Sequence, residues 1–227
     1  METPVSMPFF MKGRLNMLRY DILPLAAPLP NLTGRVLDPD AEPFCNRPFA
    51  PIDRYAWPGD YRPEARAWAA WSAAGLHLLL CAREETVSAK VTAFGGAVWE
   101  DSCLECFLQP FDGDPRYLNI ETNAAGAMLI GMGAGREGRT LLPALPEGMN
   151  LSVSRHAGGW WAVAYTVPSG LICSLFGRDI RPGDVLRGNF YCCDETIHPH
   201  FGSWSPIAAP QPDFHRPECF GELVVGE

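Results

Sequence analysis

Six polar side chains crowd one stretch of this chain: Glu105, Gln109, Tyr117, Asn119, Glu121 and Asn123, with Trp99 just upstream. Carboxylates and amides suit vicinal hydroxyl groups, and an indole face suits the C–H face of a pyranose ring. An apolar platform with a few placed polar groups is the make-up of a small-ligand site. The chemistry implied is carbohydrate binding, with Trp99, Glu105, Asn119, Glu121, Asn123 and, from a later loop, Trp204 as the ligand-binding candidates. The same carboxylates fit a second chemistry. If Glu105 and Glu121 oppose each other on neighbouring strands, they stand about 5 Å apart, in the retaining-glycosidase range of about 5–5.5 Å. Two unrelated surface glutamates meet that spacing as readily, so hydrolysis is the runner-up. A third chemistry, metal binding, has only His198, His200 and Asp194 near one another in sequence. An HxH pair in a loop is a weak metal signal.

The element that must position these groups is a β-hairpin. Strands are expected from about Asp101 to Gln109 and from about Arg116 to Ala124, joined by PFDGDPR, which has hairpin-loop composition. Side chains alternate across a strand. Leu104, Cys106, Leu108, Leu118 and Ile120 therefore share a core face, and the polar group shares the other. Such a face is ordinarily a solvated surface. This one has no Lys, places two Asn on one strand and sets two carboxylates on adjacent strands, choices that disfavour a plain sheet. The expectation is a solvent-accessible face that holds a ligand.

The chain has 227 residues and a net charge of -8, with Lys only at Lys12 and Lys90 and no basic run. That speaks against nucleic acid and against an anionic membrane surface as partners. No apolar run is long enough for a transmembrane helix. MPFFMKGRLNM interrupts its apolar residues with charge, so no secretory signal is legible, and residues 1–16 read as an extension outside the core. The eight Cys are spread along a chain that can build its own core. Cys103 and Cys106 match CxxC, but residues three apart on a strand face opposite ways, as do the adjacent Cys192 and Cys193. Reduced thiols in a cytoplasmic protein are expected.

The remaining chain reads as strands and turns. ARAWAAWS and LHLLLCARE form a hairpin in which Trp68 and Trp71 face opposite sides, and His77 reads as a core or edge residue. A loop at about 85–100 delivers Trp99. AMLIGMG is a third strand antiparallel to the second of the organising hairpin, and LSVSRHA and WWAVAYTVP form another hairpin. SGLICSLFG is the one helical stretch, with Ser169 as its cap and Gly177 after its end. LRGNFYCCDE and CFGELVV complete nine or ten strands. The expected fold is all-β: a jelly-roll type β-sandwich of two antiparallel sheets with one short helix, in a single domain over 1–227.

VWEDSCLECFLQP followed by YLNIETNAAGAML resembles the family 9 carbohydrate-binding modules. GNFYCCDET, HFGSWSPI and PDFHRPECFGELV resemble the bacterial family 9-like proteins. The resemblance spans about residues 60–225. It implies a non-catalytic β-sandwich that binds mono- or oligosaccharides, often beside glycoside hydrolases, which makes such an enzyme a candidate partner. In the sugar-binding modules two Trp sandwich a sugar, assisted by acidic and amide groups. Trp99 and Glu105 match the first Trp and the acid, Asn123 matches the amide, and Trp204 stands for the second Trp. Glu121 occupies a position where the family pattern has Arg. Modules of this kind can also hold structural calcium. A more distant likeness to DOMON domains implies haem or sugar, with His or Met ligands.

Overall fold

Alternating apolar residues dominate this chain, and a computed structural model resolves them into strands. It describes residues 17–25, 29, 31–34, 48–155 and 158–227; residues 1–16 and Cys45 lie outside the described set. In chain order the strands begin with β1 (Arg19–Pro24), β2 (Ala50–Pro51), β3 (Arg54–Tyr55), β4 (Glu64–Ser72) and β5 (Gly75–Arg83). The organising hairpin is β6 (Cys103–Gln109) and β7 (Tyr117–Asn123), followed by β8 (Met128–Gly133) and β9 (Thr140–Leu141). Then come β10 (Ser152–Arg155), β11 (Trp160–Pro168), helix α1 (Ser169–Phe176), β12 (Val185–Asp194), β13 (His200–Ser203) and β14 (Gly221–Val225).

The strands form one curled sheet in the order β10-β11-β5-β4-β1-β14-β12-β6-β7-β8-β9. This corrects the expectation of two separate antiparallel sheets. β1 pairs in parallel with β14 on one side and with β4 on the other, so it bridges the two halves and makes the sheet mixed. The halves still face each other like a sandwich. Leu78, Leu80, Val163 and Tyr165 from one meet Leu104, Cys106, Ile120 and Phe190 from the other in the main core.

Each half also buries its outer face. Over β4, β5 and β11 lie Leu25, Leu29 and Leu32, which pack on Trp68, Leu79 and Cys81. Trp71 points the other way, and its indole N–H donates to the Gly226 carbonyl at 2.9 Å. His77 is a satisfied core histidine, held between Ser72 and Thr166. Helix α1 starts after Pro168, and Ser169 Oγ donates to the Ala73 carbonyl rather than capping the helix as expected. Gly177 ends it in the left-handed region at φ 80°, which other residues enter only with strain.

Over β6, β7 and β12 lies the segment that follows β13. Ile207, Phe214 and Phe220 from it join Phe107, Tyr117 and Tyr191 in a second core. The Phe214 ring stacks on Tyr191 at 4.1 Å, and Trp57 Nε1 donates to the Ala209 carbonyl at 2.9 Å. These contacts anchor the cover over the polar face of the hairpin.

Candidate functional site

The hairpin register places Glu105 opposite Glu121, Phe107 opposite Asn119 and Cys103 opposite Asn123. The expected division of faces is present, but the polar face is not open to solvent. The cover reduces exposure to 2% at Glu105 and 4% at Glu121, and Asn119 and Asn123 are fully buried. What remains is a cleft of about 540 Å³ including its open mouth, with Glu105 and Glu121 among its lining residues.

Trp99 stands on a single helical turn, Val98–Glu100, and lines the cleft while 36% exposed. A bracket behind it holds this turn in place. Asp101 accepts from Ser88 Oγ and from the backbone N–H groups of Lys90 and Val91. Asn123 Nδ2 donates to Asp101 and to the Val91 carbonyl, and its Oδ1 accepts from the N–H groups of Ala125 and Ala127. Burial alone would raise the Asp101 pKa, yet these donors hold it below the usual carboxylate range. Asn123 thus has its hydrogen-bonding capacity filled by the loop and the turn. It is not among the residues that line the cleft.

Trp204, the candidate second tryptophan, lies elsewhere. Its ring packs edge-on against Tyr20 and tilted against Phe190, in the main core. Side chains alternate on β12, so Phe190 faces that core while Tyr191 faces the cleft side. The aromatic partners that do share the cleft with Trp99 are Phe107, Phe201 and Phe214. Gln109 lies at the far end of β6, donating to the Asp114 carbonyl in the hairpin loop at 2.8 Å.

The two glutamates carry the electrostatics. Cys193 Sγ donates to Glu105 Oε1 at 3.2 Å, and Asn119 Nδ2 donates to Glu121 Oε1 at 2.8 Å. Burial, with the facing Glu121, pushes the Glu105 carboxyl well above the usual range. Burial pushes Glu121 up to about 7 despite the amide donor and two arginines. The pair therefore retains protons toward neutral pH. Gly131 makes room for Asn119, whose Oδ1 is buried without a partner: a Cβ added at Gly131 would lie 2.5 Å from it.

Two guanidiniums face these acids. Arg136 donates to Asp213 at 3.0 Å, and Arg139 donates to His215 Nε2 at 3.0 Å. That leaves His215 Nδ1 to carry the ring proton toward Tyr117 Oη, 2.7 Å away. Burial and both arginines push His215 down to about 3, so it is a neutral acceptor. Gly133 makes room for this arrangement, since a Cβ there would come within 2.8 Å of Arg139 Cγ. Sequence reasoning missed Arg136, Arg139 and His215. They lie in irregular loops, and only a later loop folding back brings them to the hairpin.

Two groups of three described side chains bring metal-ligating atoms within 4.8 Å of one another: Cys103, Glu105 and Cys193 beside the cleft, and Glu84, Cys192 and His200 elsewhere. Each contains a thiol, whereas calcium takes oxygen ligands, so neither fits the calcium that the resemblance implies. Nor does Asp101, whose oxygens face hydrogen-bond donors.

A curled β-sheet roofed on one face leaves a polar, aromatic-rimmed cleft, the make-up of a small-ligand binding site. The chain belongs to carbohydrate-binding family 9, whose model matches residues 39–225. It is similar to a candidate carbohydrate-binding protein of Bacteroides uniformis, with 30% identity, 91% of this chain and 98% of that one covered, and a TM-score of 0.72. It also shares its fold with a family 9 module of Caldicellulosiruptor kristjanssonii, solved with glucose and with cellotriose. There the identity is 12%, the TM-score 0.61 and the coverage 92% of this chain, against 97% and 94% of those chains. No curated protein sequence matches significantly. Modules of this family bind without catalysing.

Proposed function

We propose that this protein binds a mono- or oligosaccharide in the cleft between the β6–β7 hairpin and its cover, without turning it over. The observation that carries the reading is the pairing of a half-exposed Trp99 at the rim with the buried acids Glu105 and Glu121 at the hairpin. Trp99 stacks on a sugar ring. Glu105, Glu121 and the guanidiniums of Arg136 and Arg139 hydrogen-bond its hydroxyls, and Phe201 and Phe214 wall the cleft. A protonated carboxyl both donates and accepts, which suits a hydroxyl better than an acceptor-only carboxylate does. Asn119 holds Glu121 in place, and Asn123 holds the loop of Trp99.

The test is calorimetry against a sugar panel that includes glucose and cellotriose, beside a sensitive hydrolysis assay. Saturable binding, weakened by Trp99→Ala, with no turnover is the expected result. Turnover that Glu105→Gln abolishes while binding persists would favour the glycosidase reading. No binding to any sugar would refute the proposal.

A further inference from the structure

A second polar cluster lies on the other side of β12, inside the main core and apart from the cleft. It is built from three places in the sequence. Glu84 follows the last residue of β5, Cys192 sits near the end of β12, and His200 opens β13. All three are buried, with exposures of 2%, 0% and 3%. Their ligating atoms lie within 4.8 Å of one another, and Cys192 Sγ is 3.5 Å from His200 Nε2.

Two of the three side chains are oriented by a further partner. His200 Nδ1 donates to the His198 carbonyl at 2.7 Å, which fixes the tautomer and turns the unprotonated Nε2 toward Cys192. Glu84 Oε1 accepts from the Trp161 indole N–H at 2.9 Å, and Oε2 accepts from Ser102 Oγ. Metal-binding histidines and carboxylates are held by such outer contacts. The donor set of one thiol, one imidazole and one carboxylate is that of zinc and its borderline neighbours. With Zn–S of about 2.3 Å and Zn–N of about 2.05 Å, a tetrahedral ion sets sulfur and nitrogen about 3.6 Å apart. The distance here already matches. A surface cavity lined by Tyr61, Arg83, Glu84, Glu85 and Gly159 gives solvent a route to the carboxylate.

We propose that Glu84, Cys192 and His200 bind one Zn²⁺-like divalent ion, with water as the fourth ligand. The ion links the two halves of the curled sheet at one end of the main core, because Glu84 extends the half containing β5 while Cys192 and His200 belong to the half containing β12. It thereby closes a long loop of chain, as other structural metals do. Binding deprotonates the Cys192 thiol, and the proton passes to solvent.

The experiment uses tag-free full-length protein loaded with Co²⁺ as a spectroscopic stand-in for Zn²⁺. Expected are one retained equivalent, a thiolate-to-cobalt charge-transfer absorption and a higher melting temperature with Zn²⁺. Cys192→Ser and His200→Gln should each weaken retention by about tenfold or more, the scale at which even outer-contact losses act. Glu84→Gln preserves volume and serves if either of those variants fails to fold. Cys193→Ser is the discriminating control, since the adjacent thiol faces the cleft. A cobalt band that survives Cys192→Ser but disappears in Cys193→Ser would overturn the proposal, as would a wild-type protein that retains no ion after dialysis.

Discussion

Replacing Glu121 by Gln is expected to stabilise the protein, and to do so only as pH rises. Glu121 faces Glu105 across the hairpin, both are buried, and burial pushes Glu121 from 4.5 up to about 7. The unfolded chain releases this proton from about pH 4.5 upward, while the folded chain keeps it until about pH 7. The group's contribution to stability is therefore fully present below about pH 4.5 and is lost as pH rises through 7. At about 1.36 kcal/mol per unit, the loss is on the order of 3 kcal/mol above pH 8. Glutamine keeps the shape and can still accept from Asn119 Nδ2, but it has no charge to bury. Wild type and Glu121→Gln should be equally stable near pH 4 and diverge above pH 5, the variant unfolding at a urea concentration higher by on the order of 1 M at pH 8. Urea unfolding followed by tryptophan fluorescence at four or five pH values measures this. Parallel stability curves for the two proteins, or a variant less stable at pH 8, would refute the assignment of a strained acid pair. The counterpart is His215, held neutral by burial and two arginines with its pKa lowered to about 3. Its contribution is present above about 6.5 and is lost as pH falls, so the two groups offset one another between about pH 4.5 and 6.5.

Other outcomes follow from the same geometry. Trp99→Ala should weaken sugar binding by about 1–3 kcal/mol, the scale of burying a large side chain, with little effect on unfolding because the ring is half-exposed. Asn123→Ala removes a bracket of four hydrogen bonds and should destabilise the fold by about 2–4 kcal/mol; calorimetry on the still-folded fraction should also show weaker binding, since Trp99 loses its support. Gly131→Ala should cost about 1–3 kcal/mol through overpacking, because the new methyl must displace Asn119 from Glu121; a crystal structure of the variant with Asn119 unmoved would contradict this. Thiol titration under denaturing, non-reducing conditions should find every cysteine reduced; two or more stable disulfides would contradict this.

Strict alternation made the hairpin legible. Leu104, Cys106, Leu118 and Ile120 had to share a face, and a one-residue slip would have placed Glu105 and Glu121 in the main core. The same rule separated Cys103 from Cys106 and Cys192 from Cys193, and the structure places each pair on opposite faces. What periodicity could not supply was long-range pairing. The parallel contacts of β1 join strands distant in sequence, and β2, β3 and β9 have only two residues each, too few to show a period. Burial of the polar face escaped for a related reason. Its cover is an irregular segment about 90 residues later, where Phe214 and His215 stand in PDFHRPE with no repeat to say which side chain turns inward. Trp204 and Trp99 looked alike as aromatics in polar loops, yet one packs into the main core and the other stands at a rim. Only the path of the backbone separates them.

The cleft gathers costs that a purely structural sheet would shed. Two carboxyls face each other away from water, an imidazole is kept neutral beside two guanidiniums, and the Asn119 amide oxygen is buried without a partner. Each opposes folding, because a buried group without a matching partner loses its hydration uncompensated. Apolar residues at 105 and 121 would satisfy the register as well and remove the repulsion. Groups that oppose folding while lining a cleft are candidates for a functional role, and hydroxyl-rich ligands suit them. A sugar brings both donors and acceptors, so it can satisfy a carboxyl in either protonation state and the guanidiniums beside it. On this argument the substitution that most relieves the fold, Glu121→Gln, is also one that should impair binding. A variant that gained stability at pH 8 with binding fully intact would separate the strain from the function.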